Sequence, residues 1–481
     1  MKKHFLSLLI FFLALPAIWA NNIYYNITQE NSVAQIQTDL QALINNATGG
    51  DTIVVTGNKT DADVSLQLNI SSGKVVKWQA TYQSETSFNA GALIHFFGNG
   101  TFEIAGGALT TGANNAILSE GTNATVKVSS GSLNSTEGET IKTTGTNAIV
   151  SISGGTVSAT IENAVLAKGT NAKVFVSGGT VRNATDDSYP VIFINVSDNT
   201  GLNVIISGTG IVEATMDGYA IWTNGIVEVK DHAWVSAIVF PAILSRNAAI
   251  ISGMCTVAGV GHTTIDSQNV EIKDQAQIIT ERGSCIRAQN VEIKDQAQVI
   301  NKKGDCAITA SQEVKVSGGL VYAQNSDITK IIDCFNFSGV TGTGMLLAWN
   351  KNAGNTNYEM FSTNDILKLP ESATAYWDTK ESEDGIFYAN GENTGFIPLE
   401  VTVELSISDP ISSNLTAYPN PVSNILHIET QDNCTIPEVH IYSIQGVLLI
   451  HEIGNRIDVS SLPCGIFIAK VNGVCLKIVK L

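Results

Sequence analysis

Charge is scarce in this chain. Only 15% of its 481 residues are Asp, Glu, Lys or Arg, and the balance is acidic, with a formal charge of -17. An acidic surface repels phosphate backbones and anionic lipids, which excludes nucleic acid as an expected partner. Arginine is rare in the long middle of the chain, which weighs against a lyase chemistry that needs a cationic base or a carboxylate clamp. The seven cysteines are an odd number, so at least one is free or pairs between chains, and none stands in CxxC or another metal spacing. After the first 20 residues no apolar run is long enough to cross a bilayer. No metal or cofactor is expected, and no catalytic residue is assigned.

The first 20 residues, MKKHFLSLLIFFLALPAIWA, hold Lys2 and Lys3, an apolar run from Phe5 to Leu15, a break at Pro16 and a small Ala20. That is the pattern of a secretory signal peptide, and the run is too short for an anchor. The mature chain is expected to be exported.

Gly, Ala, Ser, Thr, Asn and Val dominate the rest, a mix suited to strands and tight turns. The phrase QNVEIKDQAQ begins at Gln268 and again at Gln289. It belongs to a longer series. An apolar slot recurs at Ile104, Val128, Ile152, Val176, Ile206, Val229, Ile251, Ile272, Ile293 and Val316, at intervals of 21 to 30 residues. A period in that range defines a solenoid. Each period holds at least two strands. One ends in this slot; the other carries Ile117, Ile141, Val165, Ile192, Ile221, Ile243, Ile265 and Ile286. Turn words such as Gly121-Thr122-Asn123 separate them. The Gly or Asp after the main slot (Gly154, Gly178, Gly208, Asp231, Gly253, Asp274, Asp295, Gly318) is expected to adopt positive φ.

Parallel strands coiled with this period make a β-helix, right-handed by the crossover rule, with coils about 4.8 Å apart. The fold class is therefore all-β: a right-handed parallel β-helix with an N-terminal capping helix, then a small C-terminal antiparallel sandwich. Glu271 is expected over Glu292 and Lys273 over Lys294, each charge with opposite neighbours on the diagonal. Cys285 and Cys306 are expected in one column of small residues, at disulfide distance but with Cβ vectors that fit the bridge dihedral poorly.

A helix is expected from Val33 to about Ala47, capped by Ser32, with Val33, Ile36, Leu40, Leu43 and Ala47 at helical spacing. Gly49-Gly50-Asp51-Thr52-Ile53-Val54-Val55 follows. A helix leading into GDTIVV resembles the start of the pectin-lyase-like right-handed β-helices, and the resemblance implies that the helix covers the first coil. The solenoid with its cap is assigned to 21–340, final coils and a closing cap rich in aromatics to 341–405, a linker to 406–416, and a last domain to 417–481.

In that last domain strands alternate with turns, and Asn472-Gly473 is a hairpin signal. The segment carries Tyr418-Pro419-Asn420-Pro421, then Ile441-Tyr442-Ser443-Ile444-Gln445-Gly446. Asp458-Val459-Ser460-Ser461-Leu462-Pro463 and Gly465-Ile466-Phe467 follow, and Lys477-Ile478-Val479-Lys480-Leu481 closes the chain. In these ordered motifs it resembles the C-terminal sorting domain of cargo for the type IX secretion system of Bacteroidota. Cys464 and Phe467 depart from the usual small residue and Tyr. The resemblance implies passage through the periplasm, recognition by the secretion machinery at the outer membrane, and release or attachment at the cell surface.

Chemistry on the solenoid would need converging carboxylates. Asp186, Asp187, Asp198, Asp217, Asp231 and His232 are the candidates, but they stand in ordinary turn words. His95, His232 and His262 share no metal spacing. A better feature is the residue after the second apolar column: Leu166, Phe193, Trp222 and Leu244 face outward in successive coils if their neighbours face in. Tyr189, Tyr219 and Trp234 lie nearby in sequence. Such an apolar-aromatic strip suits a ligand, a glycan or another surface partner. The expected function is a secreted or surface-displayed solenoid serving adhesion, glycan contact or structure; the rival is a polysaccharide lyase or hydrolase on the same scaffold.

Overall fold

The computed structural model describes residues 21–88, 91–195, 201–302, 306–324, 332–340, 345–349, 375–378, 386–389, 392–393, 415–418, 422–430, 438–443, 448–462, 465–471 and 474–480. Residues 1–20, the expected signal peptide, and most of 341–414 lie outside these residues. The chain divides into two compact units, Met1–Pro398 and Leu399–Leu481.

The larger unit is a parallel β-solenoid with three columns of strands. The first column runs through Leu66–Asn69, Ala92–Phe97, Asn115–Ser119, Ile141–Thr143, Val165–Ala167, Ile192–Ile194 and Ile221–Thr223, then 243–245, 265–267, 286–288, 308–310 and 332–334. The second contains the Val-x-Val slot. Its register joins Ile104, Val128, Ile152, Val176, Ile206, Val229, Ile251, Ile272, Ile293 and Val316 as direct neighbours. Ile117 through Ile286 align in the same way in the first column. The third column, which sequence periodicity left unseparated, includes Ile211–Ala214, Trp234–Ala237, Thr256–Gly259, Gln277–Thr280 and Gln298–Asn301.

Alternation along each strand sends one set of side chains into the bore. The ten residues of the main slot and the eight of the first column are buried. Each such Ile or Val contributes about 1.5–3 kcal/mol, but only because the coils above and below cover it. Near the N-terminal end the bore is filled by rings instead. Trp78 meets Tyr82 edge-on at 5.5 Å, and Phe96 stacks on Phe102 at 5.7 Å.

Polar side chains form ladders on the outside. Asn123, Asn147 and Asn171 all adopt positive φ, and the side-chain amides of Asn147 and Asn171 donate to the side-chain oxygens of Asn123 and Asn147, at 2.9 and 3.2 Å. In the duplicated phrase Gln275 donates to Gln296 and Gln277 to Gln298, at 3.1 and 3.2 Å. Asn290 donates to Asn269 at 3.0 Å. Repeating the words puts an amide over an amide. Glu271 aligns with Glu292, and Lys294 bridges both, at 3.4 and 3.0 Å.

Two expectations are corrected. In the Gly-Gly corners positive φ falls on the second glycine, Gly155, Gly179 and Gly319, not on Gly154, Gly178 or Gly318. Gly154 is small for another reason: a Cβ there would stand 2.4 Å from the Ser129 carbonyl oxygen. Cys306 does not stack on Cys285. Ile286 pairs with Ile308, a 22-residue step, so Cys285 lies opposite Ala307 and Cys306 falls beside Ser284. Both cysteines are free thiols, as is Cys255. Burial raises the Cys255 thiol to about 12 and Cys285 well above its usual range, which keeps both protonated and unreactive.

The helix Val33–Asn46 closes the first coil. Ser32 Oγ accepts the Gln35 N–H at 3.2 Å, and Val33, Ile36, Leu40 and Ile44 are buried. Leu43, expected inside, is only half-buried, and Ile44 takes its place. The helix also satisfies the open edge of Leu66–Asn69. Gln37 and Gln41 accept the N–H groups of Gln67 and Asn69 at 3.0 and 2.8 Å.

The smaller unit holds two antiparallel sheets. One contains Leu415–Tyr418, Ile425–Thr430 and Arg456–Asp458; the other orders Leu448–Ile453, Glu438–Ser443, Gly465–Val471 and Val474–Lys480. Leu426, Ile428, Val439, Ile441, Phe467 and Ile478 are among its core residues. The expected linker ends early, because the strand beginning at Leu415 already belongs to this unit.

Candidate functional site

The residues of the expected strip lie in the first column. Backbone pairing places Lys142, Leu166, Phe193, Trp222, Leu244, Asp266 and Arg287 in one outward row, one per coil. Phe193 and Trp222 are half-buried, with ring centroids 5.1 Å apart. Leu166 keeps its place in the row but is only 3% exposed, so it offers no contact surface.

The turns entering these strands add two rings. Tyr219 lies 5.3 Å from Trp222 and stacks on Phe240 at 4.8 Å. Phe240 was not singled out by the periodicity, because it stands in a turn rather than in a column. Trp234 belongs to the third column and another face.

Beyond Leu244 the strip runs into an open groove of about 680 Å³. Arg246, Asp266, Gln268, Arg287 and Gln289 line it, and Phe335, 92% exposed, stands at its far end. Arg287 donates through Nε to Asp266 Oδ2 at 3.1 Å, and a second guanidinium nitrogen contacts the same oxygen. Asp266 holds the Arg287 guanidinium above its ordinary range. The sequence signals for the groove were Asp266 and Arg287 at the charged end of the row and the Gln268/Gln289 repeat, which looked structural.

On the other side of the aromatic rings lies a small ionic group. Lys142 bridges Glu139 at 3.1 Å. In the next turn Glu162 is half-buried, and desolvation with the nearby Glu139 charge raises its carboxyl above the usual range. The nearby Glu162 charge raises the Tyr189 hydroxyl above its usual range.

Of the other candidate carboxylates, that of Asp231 holds a corner together. Asp231 Oδ2 accepts the Gly208 N–H at 2.9 Å. The Asp187 N–H donates to Thr185 Oγ1 at 3.0 Å within a turn. Asp198 lies outside the described residues. His95 Nε2 meets Glu120 at 2.9 Å. Among the described residues no group of three or more His, Cys, Asp or Glu could hold a metal.

In the smaller unit, Ser460, through its side chain first and then its N–H at 2.9 Å, holds the Asp458 carboxyl below the usual range. Leu462 and Phe467 are buried, and Gly465 opens a strand. Lys477 and Lys480 lie on the last strand, Val474–Lys480. Lys480 is buried. Tyr418 ends the strand Leu415–Tyr418, while Pro419, Asn420, Pro421, Gly446 and Pro463 lie outside the described residues.

These observations define a parallel β-solenoid followed by a small C-terminal unit of antiparallel sheets. Residues 416–480 match the family described as the secretion system C-terminal sorting domain, and this segment is a type IX sorting domain. The chain is therefore cargo of the type IX machinery, delivered through the periplasm to the cell surface or the medium. No curated protein and no solved structure matches the chain.

Proposed function

We propose that the solenoid binds glycan at the bacterial surface or outside the cell, without catalysis, through the outer face of its first column. The observation that carries this reading is the continuity of that face. Phe193, Trp222, Tyr219 and Phe240 form a ring cluster that passes through Leu244 into a groove of amides and guanidinium groups. Aromatic faces accept the apolar faces of sugar rings, and a few polar groups beside them fix orientation. The test is binding of the purified mature protein to a glycan array, followed by titration calorimetry on the strongest hit. The double variant Phe193→Ala/Trp222→Ala is expected to lose at least about tenfold in affinity, or 1.4 kcal/mol. Undiminished binding, or no binding by the parent to any glycan, would refute the reading.

One observation favours the rival, a polysaccharide-degrading enzyme. Glu162, with a raised carboxyl, and Glu139 stand in the turns entering the preceding coils of the same column, two neighbouring carboxylates as an acid and its partner would be. Turnover in reducing-sugar or unsaturated-product assays that Glu162→Gln abolishes would replace the binding reading.

A further inference from the structure

Given the glycan reading above, on which this inference rests, we propose that the ligand is an uncharged, extended polysaccharide lying along the solenoid axis, and that Asp266 sets the selectivity against acidic chains.

The direction follows from the register. Phe193, Trp222, Leu244, Asp266, Arg287 and Thr309 succeed one another in one row, one per coil. Stacked strands repeat at about 4.8 Å, and the Phe193 and Trp222 rings lie 5.1 Å apart. That spacing is close to the advance of one pyranose unit in an extended chain. A polysaccharide laid along the row therefore meets successive side chains with successive sugars, whereas one laid across it meets a single coil. From Phe193 to Thr309 the row spans about 24 Å, room for about five sugar units.

Charge decides the class. Arg246 and Arg287 line the groove together with Asp266 and Asp333, two cations against two anions. Arg287 donates through Nε to Asp266 Oδ2 at 3.1 Å, and a second guanidinium nitrogen contacts the same oxygen. The pair neutralises the guanidinium charge but leaves it further N–H groups to donate. Gln268 and Gln289 are exposed, and each amide offers donors and an acceptor. Donors and acceptors side by side without net charge suit hydroxyl groups, which do both. At the other end of the row, Glu139, Glu162 and Asp187 stand in the turns entering Ile141–Thr143, Val165–Ala167 and Ile192–Ile194. The charges acting on Glu162 there are those of Glu139 and Asp187 against Lys142. A uronate or sulfated chain would be repelled at that end and would find no surplus of positive charge in the groove.

The experiment titrates the purified mature protein with two ladders of oligosaccharides of increasing length, at low and at high salt. Linear β-glucan, mannan and xylan chains form the neutral ladder; galacturonate and alginate chains form the acidic one. Affinity for a neutral chain should rise with length up to about five units and change less than about twofold with salt. Asp266→Asn leaves Arg287 without its counter-charge. This variant should gain at least about tenfold in affinity for the acidic ladder at low salt and lose the gain at high salt. Its neutral-chain affinity should stay within about threefold of the parent, which shows that it is folded. A parent that prefers acidic chains, neutral affinity that does not grow with length, or a folded Asp266→Asn variant that gains nothing for acidic chains overturns the proposal and leaves the glycan reading standing. Binding of neither ladder by the parent overturns both.

Discussion

An aspartate in left-handed backbone needs a reason, since a side chain disfavours that region and glycine does not. Asp231, Asp274 and Asp295 hold φ of 62°, 58° and 55° at the corner after the main slot. Each carboxylate accepts a backbone N–H from the coil before it: Gly208 at 2.9 Å, Gly253 at 2.9 Å and Asp274 at 3.1 Å. The side chain staples one coil to the next, and the hydrogen bond offsets the backbone cost. Substitutions separate the two effects. Asp274→Gly relieves the backbone and loses the staple, so it should cost less than about 1 kcal/mol. Asp274→Ala loses the staple and keeps the strain, so it should cost about 1–2 kcal/mol. Urea unfolding of both variants checks the order; an alanine variant as stable as the glycine variant would show that the strain is absent.

At the scale of the element, the capping helix does two jobs with two faces. Its apolar face, Val33, Ile36, Leu40 and Ile44, covers the open bore. Gln37 and Gln41, one turn apart, stand in for a missing strand by accepting N–H groups from Leu66–Asn69. Lys74 Nζ in turn donates to the carbonyls of Ile44 and Asn45 at 2.6 and 3.2 Å, closing the helix C-terminus. Gln37→Ala/Gln41→Ala should destabilise the first coils by about 1 kcal/mol per lost bond. Hydrogen exchange should show the Gln67 and Asn69 amides opening first, while the coils beyond 150 keep their protection. Ser32 and the apolar spacing announced this helix, but its edge-pairing role was illegible because a glutamine on a polar face looks like any solvated residue. The same holds across the solenoid. Inward columns were readable because burial tolerates only apolar side chains at every equivalent position. Corners were less so: Gly154 and Gly155 are the same letter with different duties, and the 22-residue step at Ile308 displaced Cys306 without disturbing the apolar pattern. The aromatic cluster was half-visible, since Phe193 and Trp222 sit in a column whereas Phe240 reaches the cluster from a turn.

For the solenoid as a whole, stability is close to a sum over coils and the interfaces between them, because each coil touches only its neighbours. Damage should therefore spread a limited distance. Ile286 is buried between Ile265 and Ile308 in the first column. Ile286→Asp places a carboxylate in the bore without a partner, a change that costs more than about 3 kcal/mol where it occurs. Hydrogen exchange should then show lost protection across 265–316, with the coils before residue 160 retaining theirs. The duplicated phrase sharpens the expectation, because its amide ladders and the Lys294 bridges tie the coils at 268–277 and 289–298 together. Those two coils should loosen as a pair, at one rate, while Asn123, Asn147 and Asn171 stay locked in their own ladder. A variant whose whole solenoid unfolds in a single step would mean that the coils cooperate over far longer distances than nearest-neighbour stacking provides.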